Sequence, residues 1–208
     1  MTMGESSGSV FIVDDDSSVR DALTVVFDLE GFTARAFANG DDFLEAIGTD
    51  APDCVLLDVH MPGRSGLDVL KAIDLSTFAA PVFVISGQGD IPMAVSAIKL
   101  GAVDFIEKPF DAETVVGRVR QAMEAMRRAD AKPRDAHHFP GAELLTPRER
   151  DVLREITAGA SNKEAGRRLG ISPRTIEVHR ARIMEKLGAR NAADLVRIVL
   201  TAGTGEHG

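Results

Sequence analysis

The sequence predicts an α/β unit built on a doubly wound, five-stranded parallel sheet, followed by a smaller all-α unit. Three observations carry this prediction. Five short apolar runs alternate with amphipathic stretches over the first 123 residues, as strands buried on both faces of a helix-covered parallel sheet do. Beyond residue 141 the strand-like runs stop, and helical periodicity with capping residues takes over. The charge also changes sign: residues 1–123 hold 8 Lys+Arg against 20 Asp+Glu, net −12, and residues 124–208 hold 16 against 12, net +4.

With 208 residues, 44% hydrophobic and 27% charged, the chain can build two real cores, which excludes the disordered classes. Its longest apolar runs, Cys54 to Leu57 and Pro81 to Ile85, fall far short of the ~20 residues of a membrane span. The opening MTMGESSGS lacks the basic and apolar regions of a secretory signal. A single cysteine, Cys54, excludes an internal disulfide framework and reads as a small buried strand residue. A cytoplasmic protein is expected. The total charge of −8 argues against a nucleic-acid partner until it is divided. The division falls in residues 124–143, where Pro133, Pro140 and Gly141 interrupt the periodicity. Boundaries are expected at 9–123, at 124–140 for a helix tail and linker, and at 141–208.

The strand candidates are VFIV (10–13), TARAF (33–37), CVLL (54–57), VFVI (82–85) and DFIE (104–107), with helices near 17–29, 41–47, 66–74, 90–100 and after Asp111. Parallel sheets bind ligands beyond the carboxyl ends of their strands. VFIV is followed there by Asp14, Asp15 and Asp16, CVLL by Asp58, VFVI by Ser86 and DFIE by Lys108. Carboxylates crowded from two strands repel, and a hard cation relieves them. An open edge with few ligands favours Mg²⁺, with Mn²⁺ as the alternative ion. A lysine opposite the metal suits a transferring phosphoryl group, for which Asp58 is the candidate nucleophile. Asp16 and Ser17 read more simply as the cap of the first helix.

On VDDD (13–16), LLDVHMPGRSG (56–66), VISGQGD (84–90) and FIEKPF (105–110), residues 9–123 resemble the receiver domain of bacterial two-component response regulators, a flavodoxin-like fold. The resemblance implies that Asp58 accepts a phosphoryl group from a sensor histidine kinase. It makes Asp14, Asp15, Asp58 and the backbone carbonyl of His60 the metal ligands, and leaves the His60 side chain exposed beside the site. Ser86 becomes the switch hydroxyl, Phe105 the switch aromatic and Lys108 the active lysine, joined to Pro109 by a cis peptide. Phosphorylation would then expose a dimer surface drawn from about 90–123. Ala94, Val95, Ile98 and Lys99 are candidates for it, core packing being the alternative for the apolar ones. Such a protein is no ordinary enzyme, though it catalyses its own phosphotransfer and slow dephosphorylation.

In the basic half, LTPRERDVL (145–153) has a capping box from Thr146 to Glu149 with Pro147 at the first helical position. A short helix at about 162–169, a turn with Gly170 and a helix from Pro173 to Leu187 form a helix-turn-helix pattern, with a last helix around 192–202. At ~100° per residue Ile176, Ile183 and Leu187 share the core face. Arg174, Val178, Ala181, Arg182 and Glu185 lie opposite, with Glu177 at the flank. Residues 161–190 carry a net charge of +5, and Lys163, Arg167 and Arg168 suit phosphate contacts. SNKEAGRRLGISPRTIEVHRARIMEKLGA and AADLVR resemble the LuxR-type helix-turn-helix of the FixJ/NarL regulators, across 141–206. That resemblance places Thr175, Glu177, Val178 and Ala181 where such proteins meet phosphate or bases, within a motif at about 161–180. It implies double-stranded DNA with two-fold symmetric half-sites as the partner and a homodimer on phosphorylation. Leu195, Val196, Val199 and Leu200 are its dimer contacts, or else core.

Two other classes compete. A haloacid dehalogenase-type phosphatase would use Asp14 and Asp16, but would leave Asp58 without a role, and no cap segment is visible. A quorum-sensing regulator shares the helix-turn-helix, but a chain without Trp or Tyr offers a poor aromatic-lined pocket.

Overall fold

The computed structural model describes residues 7–73, 78–87, 91–131, 139 and 141–202. The chain falls into two compact units, 1–123 and 124–208. In the first, β1 (Ser9–Val13), β2 (Thr33–Phe37), β3 (Cys54–Asp58), β4 (Val82–Ser86) and β5 (Asp104–Glu107) form one parallel sheet in the order β2-β1-β3-β4-β5. Between them run α1 (Ser17–Leu29), α2 (Gly40–Ile47), α3 (Gly66–Ala72) and α4 (Ile91–Leu100), and α5 (Ala112–Ala131) follows β5.

The apolar runs are explained by position. Central strands β3 and β4 are buried at every residue, whereas edge strand β2 exposes three of its five. Phe11, Ile12, Leu56, Leu57, Phe83 and Ile85 fill the sheet's faces with Leu23 and Phe27 of α1 and Phe43 of α2. Each such side chain stabilises by roughly 1.5–3 kcal/mol when fully buried. The ladder extends one residue beyond the expected ends of two strands, pairing Asp58 with Ile85 and Ser86 with Glu107. Two chemically important residues are therefore held by sheet hydrogen bonds rather than by loops.

Asp16 N-caps α1 and accepts from the Ser18 amide at 2.8 Å, as its position predicts. The helix expected at 66–74 ends at Ala72, because Ile73 adopts extended angles, and residue 74 lies outside the described residues. Residues 88–90 of VISGQGD lie outside them too. Gly66 opens α3 against the site, where a Cβ would stand 2.2 Å from the Asp58 carbonyl oxygen. Only glycine permits that approach. Ala94 and Ile98 are buried core residues, so of the expected dimer-surface candidates on α4 Val95 is half-buried and Lys99 exposed.

The second unit contains a 3₁₀ turn (Ala142–Leu144), α6 (Pro147–Thr157), α7 (Asn162–Leu169), α8 (Pro173–Leu187) and α9 (Ala192–Ala202). Helices α6, α7 and α8 each begin at a side-chain cap. Thr146 and Ser161 form capping boxes with Glu149 and Glu164, and Ser172 caps α8 ahead of Pro173. Gly170, at φ +70°, closes α7 in the left-handed conformation that glycine adopts without a Cβ clash. Val152, Leu153, Ile156, Leu169, Ile176 and Ile183 form the core, while Leu187 is half-buried rather than central. Leu195 and Val199 pack into the core, Val196 is half-buried, and the side chain of Leu200 lies outside the described residues. Of the expected linker, α5 covers 124–131, residue 139 is described, and residues 132–138 and 140 are outside.

Candidate functional sites

The sheet order reverses between β1 and β3, the switch point where α/β sheets bind ligands. Asp14, fully buried, leaves β1 there, and Asp58, 2% exposed, ends β3. One carboxylate oxygen from each of Asp14, Asp15 and Asp58 lies within 4.8 Å of the other two. Lys108 follows β5, two strands or roughly 10 Å from β3. Its long stem spans the gap, and Nζ donates to Asp58 Oδ1 at 2.8 Å and to Asp14 Oδ2 at 2.9 Å. The His60 amide donates to Asp58 Oδ2 at 2.8 Å, while the rest of His60 is exposed. The Lys108–Pro109 peptide is cis.

Burial pushes the Asp58 carboxyl above the usual carboxylate range, and nearby Asp14 adds to this against the opposing pull of Lys108. Burial also disfavours the Lys108 ammonium, but its bonds to Asp58 and Asp14 prevail and hold its pKa above the ordinary value. The result is a carboxylate cluster with surplus negative charge, partly balanced by one cation and open through exposed Asp15. Oxygen donors in this arrangement fit a small hard cation.

Ser86 is buried at the next strand end, and its carbonyl accepts from the Lys108 amide at 2.8 Å. Its hydroxyl makes no bond to Asp58. Phe105 is half-buried opposite Val84 in the ladder, and Arg118 of α5 donates to its carbonyl at 3.0 Å while pairing with buried Asp104. One contact escapes sequence reasoning. Arg20 of α1 donates to the Asp14 carbonyl at 2.7 Å, and a spacing of six residues gives no hint of it without the intervening turn.

On α8, Arg174, Glu177, Ala181 and Glu185 are exposed and Val178 is half-buried. Two expected DNA-contact residues are less open than the others. Thr175 is fully buried, its hydroxyl 2.7 Å from that of the capping Ser172, because the third residue of a capped helix turns toward the cap. It presents no side-chain surface to a partner. Arg182 lies half-buried against Glu149, Nε to Oε1 at 3.2 Å, so its charge is engaged within the unit. Glu149, 1% exposed, also accepts from the Thr146 amide at 2.8 Å and from Lys186 Nζ at 2.6 Å. Burial raises its pKa, yet the bonds from Lys186 and Thr146 and the charge of Arg182 outweigh burial and hold it below the ordinary glutamate value. The capping box was legible in sequence, but its ion pairs to a helix over thirty residues away were not. On α7, Lys163, Arg167 and Arg168 are exposed, Arg168 reaching Glu155 at 2.7 Å.

No helix among the described residues is long and apolar enough to cross a membrane. Residues 10–120 match the family model described as the response regulator receiver domain, and residues 143–199 match bacterial regulatory proteins of the luxR family. The chain is 38% identical to the transcriptional regulatory protein FixJ of Bradyrhizobium diazoefficiens over 199 residues, covering 95% of this chain and 97% of that protein. It is 40% identical to FixJ of Rhizobium meliloti with the same coverage. Among solved structures, full-length FixJ from B. japonicum superposes with a TM-score of 0.57 at 37% identity, over 96% of this chain and 99% of that one. An acidic strand-end cluster on a 2-1-3-4-5 sheet, a helix-turn-helix later in the chain, and relatives matched over nearly their whole length lead to one conclusion: the chain belongs to the FixJ-type two-component response regulators, transcription regulators that join a receiver domain to a LuxR-type helix-turn-helix.

Proposed function

We propose that Asp58 accepts a phosphoryl group from the phosphohistidine of a sensor kinase, in a Mg²⁺-dependent step that promotes dimerisation and sequence-specific DNA binding. The observation that carries this reading is Lys108 Nζ, bonded at once to Asp14 and Asp58 from three separate strand ends. In the transfer the donor's P–N bond breaks as a bond forms between phosphorus and an Asp58 carboxylate oxygen. Asp14, Asp15, Asp58 and the backbone carbonyl of His60 would hold the ion. When bound, Mg²⁺ neutralises charge on the transferring group. Lys108 supplies the fixed positive charge from the opposite side, and the His60 amide orients the carboxylate.

The acyl phosphate brings roughly −1.5 to −2 of added charge, by analogy with other phosphorylated side chains. Lys108 and the Ser86 hydroxyl close on it, and Phe105 follows because its strand is tied to theirs. On this reading residues 9–123 are the receiver, 124–140 the helix tail and linker, and 141–208 the DNA-binding domain of a cytoplasmic protein. The receiver also catalyses slow loss of its own phosphoryl group. Lys163, Arg167 and Arg174 supply phosphate or base contacts.

Radiolabel from a phosphodonor should appear as an acyl phosphate and vanish in Asp58→Asn. Label retained on Asp14 would overturn the assignment. Beryllofluoride with Mg²⁺ should raise the dimer fraction in sedimentation and the affinity for promoter DNA, and a change in neither would refute activation by phosphorylation.

A further inference from the structure

The charged side chains of α8 divide by what they hold. Arg182 and Lys186 are engaged by Glu149 beneath the helix, and Arg180 donates to Asn162 of α7 at 2.9 Å. Arg174 and Glu177 in the first half of α8 are exposed, and neither side chain has an ion-pair or hydrogen-bond partner among the described residues. Glu177 is thus an unneutralised carboxylate one turn from Arg174, on the outward face of a unit whose net charge is +4.

An acidic group there opposes binding to phosphate unless it does something the phosphates do not. Recognition helices enter the major groove with their N-terminal residues toward the base edges, and the flanks meet the backbone. Glu177, fifth residue of α8, lies in that base-facing part, whereas Glu185 lies two turns farther along. A carboxylate only accepts hydrogen bonds. In the major groove guanine shows two acceptors, and adenine sets its donor amine beside an acceptor nitrogen. Cytosine presents the donor amine alone. From this geometry we infer that Glu177 is a specificity-determining residue that accepts from the N4 amine of one cytosine in each half-site, with Arg174 one turn before it.

This inference rests on the DNA-binding reading above, and the test separates the two. The full chain with beryllofluoride and Mg²⁺ is used to select from a randomised duplex library, alongside Glu177→Ala, Glu177→Gln and Glu177→Lys. The wild type should select cytosine at one symmetric position of each half-site, with about 5- to 100-fold discrimination, as a good base contact gives. Ala should flatten that position alone. Gln should move it toward adenine and Lys toward guanine, while the other positions hold. Identical preferences in all four proteins, or a uniform rise in affinity for every sequence with Ala, would overturn the role of Glu177 and leave it a mere repeller of phosphate. A wild type that enriches no sequence would refute sequence-specific DNA binding itself. Glu177 is exposed, so circular dichroism of the variants should match the wild type.

Discussion

Two buried carboxylates, one in each unit, respond to burial in opposite ways. Asp58 sits at the end of a central strand beside a second buried carboxylate, shares one ammonium with it, and has its pKa pushed up. Glu149 sits at the first turn of α6 with a backbone amide and two cations to itself, and its pKa is pulled down. The difference is the count of partners against competitors. A carboxylate left with surplus negative charge is poised to take a cation or a phosphoryl group, whereas one with surplus positive charge holds the fold together. A third carboxylate, Glu177, is exposed and has no ion-pair or hydrogen-bond partner among the described residues. Residue type alone does not distinguish the three.

The largest effect should come from removing the structural one. Glu149→Ala takes away one half of a capping box and both ion pairs that Glu149 makes to α8. Breaking a buried pair costs on the order of 3 kcal/mol. In a domain this small that lowers Tm by roughly 10–20 °C. Thermal melts followed by circular dichroism, with hydrogen exchange to locate the loss in residues 141–202, would show it. An unchanged Tm would mean that Arg182 and Lys186 find equal partners in water.

Arg174 and Arg182 sharpen the comparison within α8. They are eight residues apart and look alike in sequence, but only Arg174 is exposed and without a side-chain partner among the described residues. Arg174→Ala should weaken specific DNA binding by about tenfold or more, the scale of one lost base or phosphate contact. Arg182→Ala should act mainly through stability, with a smaller effect on DNA affinity measured well below Tm. Equal losses at 10 °C, with both variants folded, would place Arg182 at the interface after all.

This pair also marks what could be read from the sequence. Strand runs and caps are local signals, so VFIV, CVLL and VFVI, like Thr146, set element ends to within a residue or two. The strand-end rule then places Asp14, Asp58 and Lys108 at one edge without knowledge of the fold, because a parallel sheet brings its carboxyl ends together. The partners of Arg182 were not legible, since they depend on how α6 crosses α8, and the helical-wheel angle puts Arg182 outward. Thr175 is a DNA-contact candidate by resemblance alone, and its burial follows from a hydroxyl pair with Ser172 that no helical spacing reveals.

Asp58→Asn should have the opposite sign from Glu149→Ala. In protein freed of divalent ions, the ionised Asp58 is disfavoured by burial and by Asp14. A neutral isostere should raise the stability of the first unit. Melts in chelator compare the two proteins. Lower stability in the variant would show that the Lys108 bond, not the repulsion, dominates there.

The smallest effect concerns acid, and it brings both carboxylates into one experiment. Glu149 has a folded pKa below its unfolded value of 4.5, so its stabilisation is fully present above that value and is lost as pH falls through the folded pKa. The wild type should therefore exceed Glu149→Gln in stability at pH 7, and the gap should narrow once pH falls below about 4.5. Asp58 has a folded pKa above its unfolded value of 3.8, so its penalty is present at neutral pH and fades as pH falls through the folded pKa. Asp58→Asn should exceed the wild type at pH 7 in metal-free buffer, and that gap should also narrow in acid. Other carboxylates titrate in the same range, but they do so in wild type and variant alike, and the differences remove them. The two gaps should shrink toward zero from opposite sides. A gap that stays constant with pH would mean that the charge on that carboxylate is not what sets its contribution, and that packing or hydrogen bonding alone does.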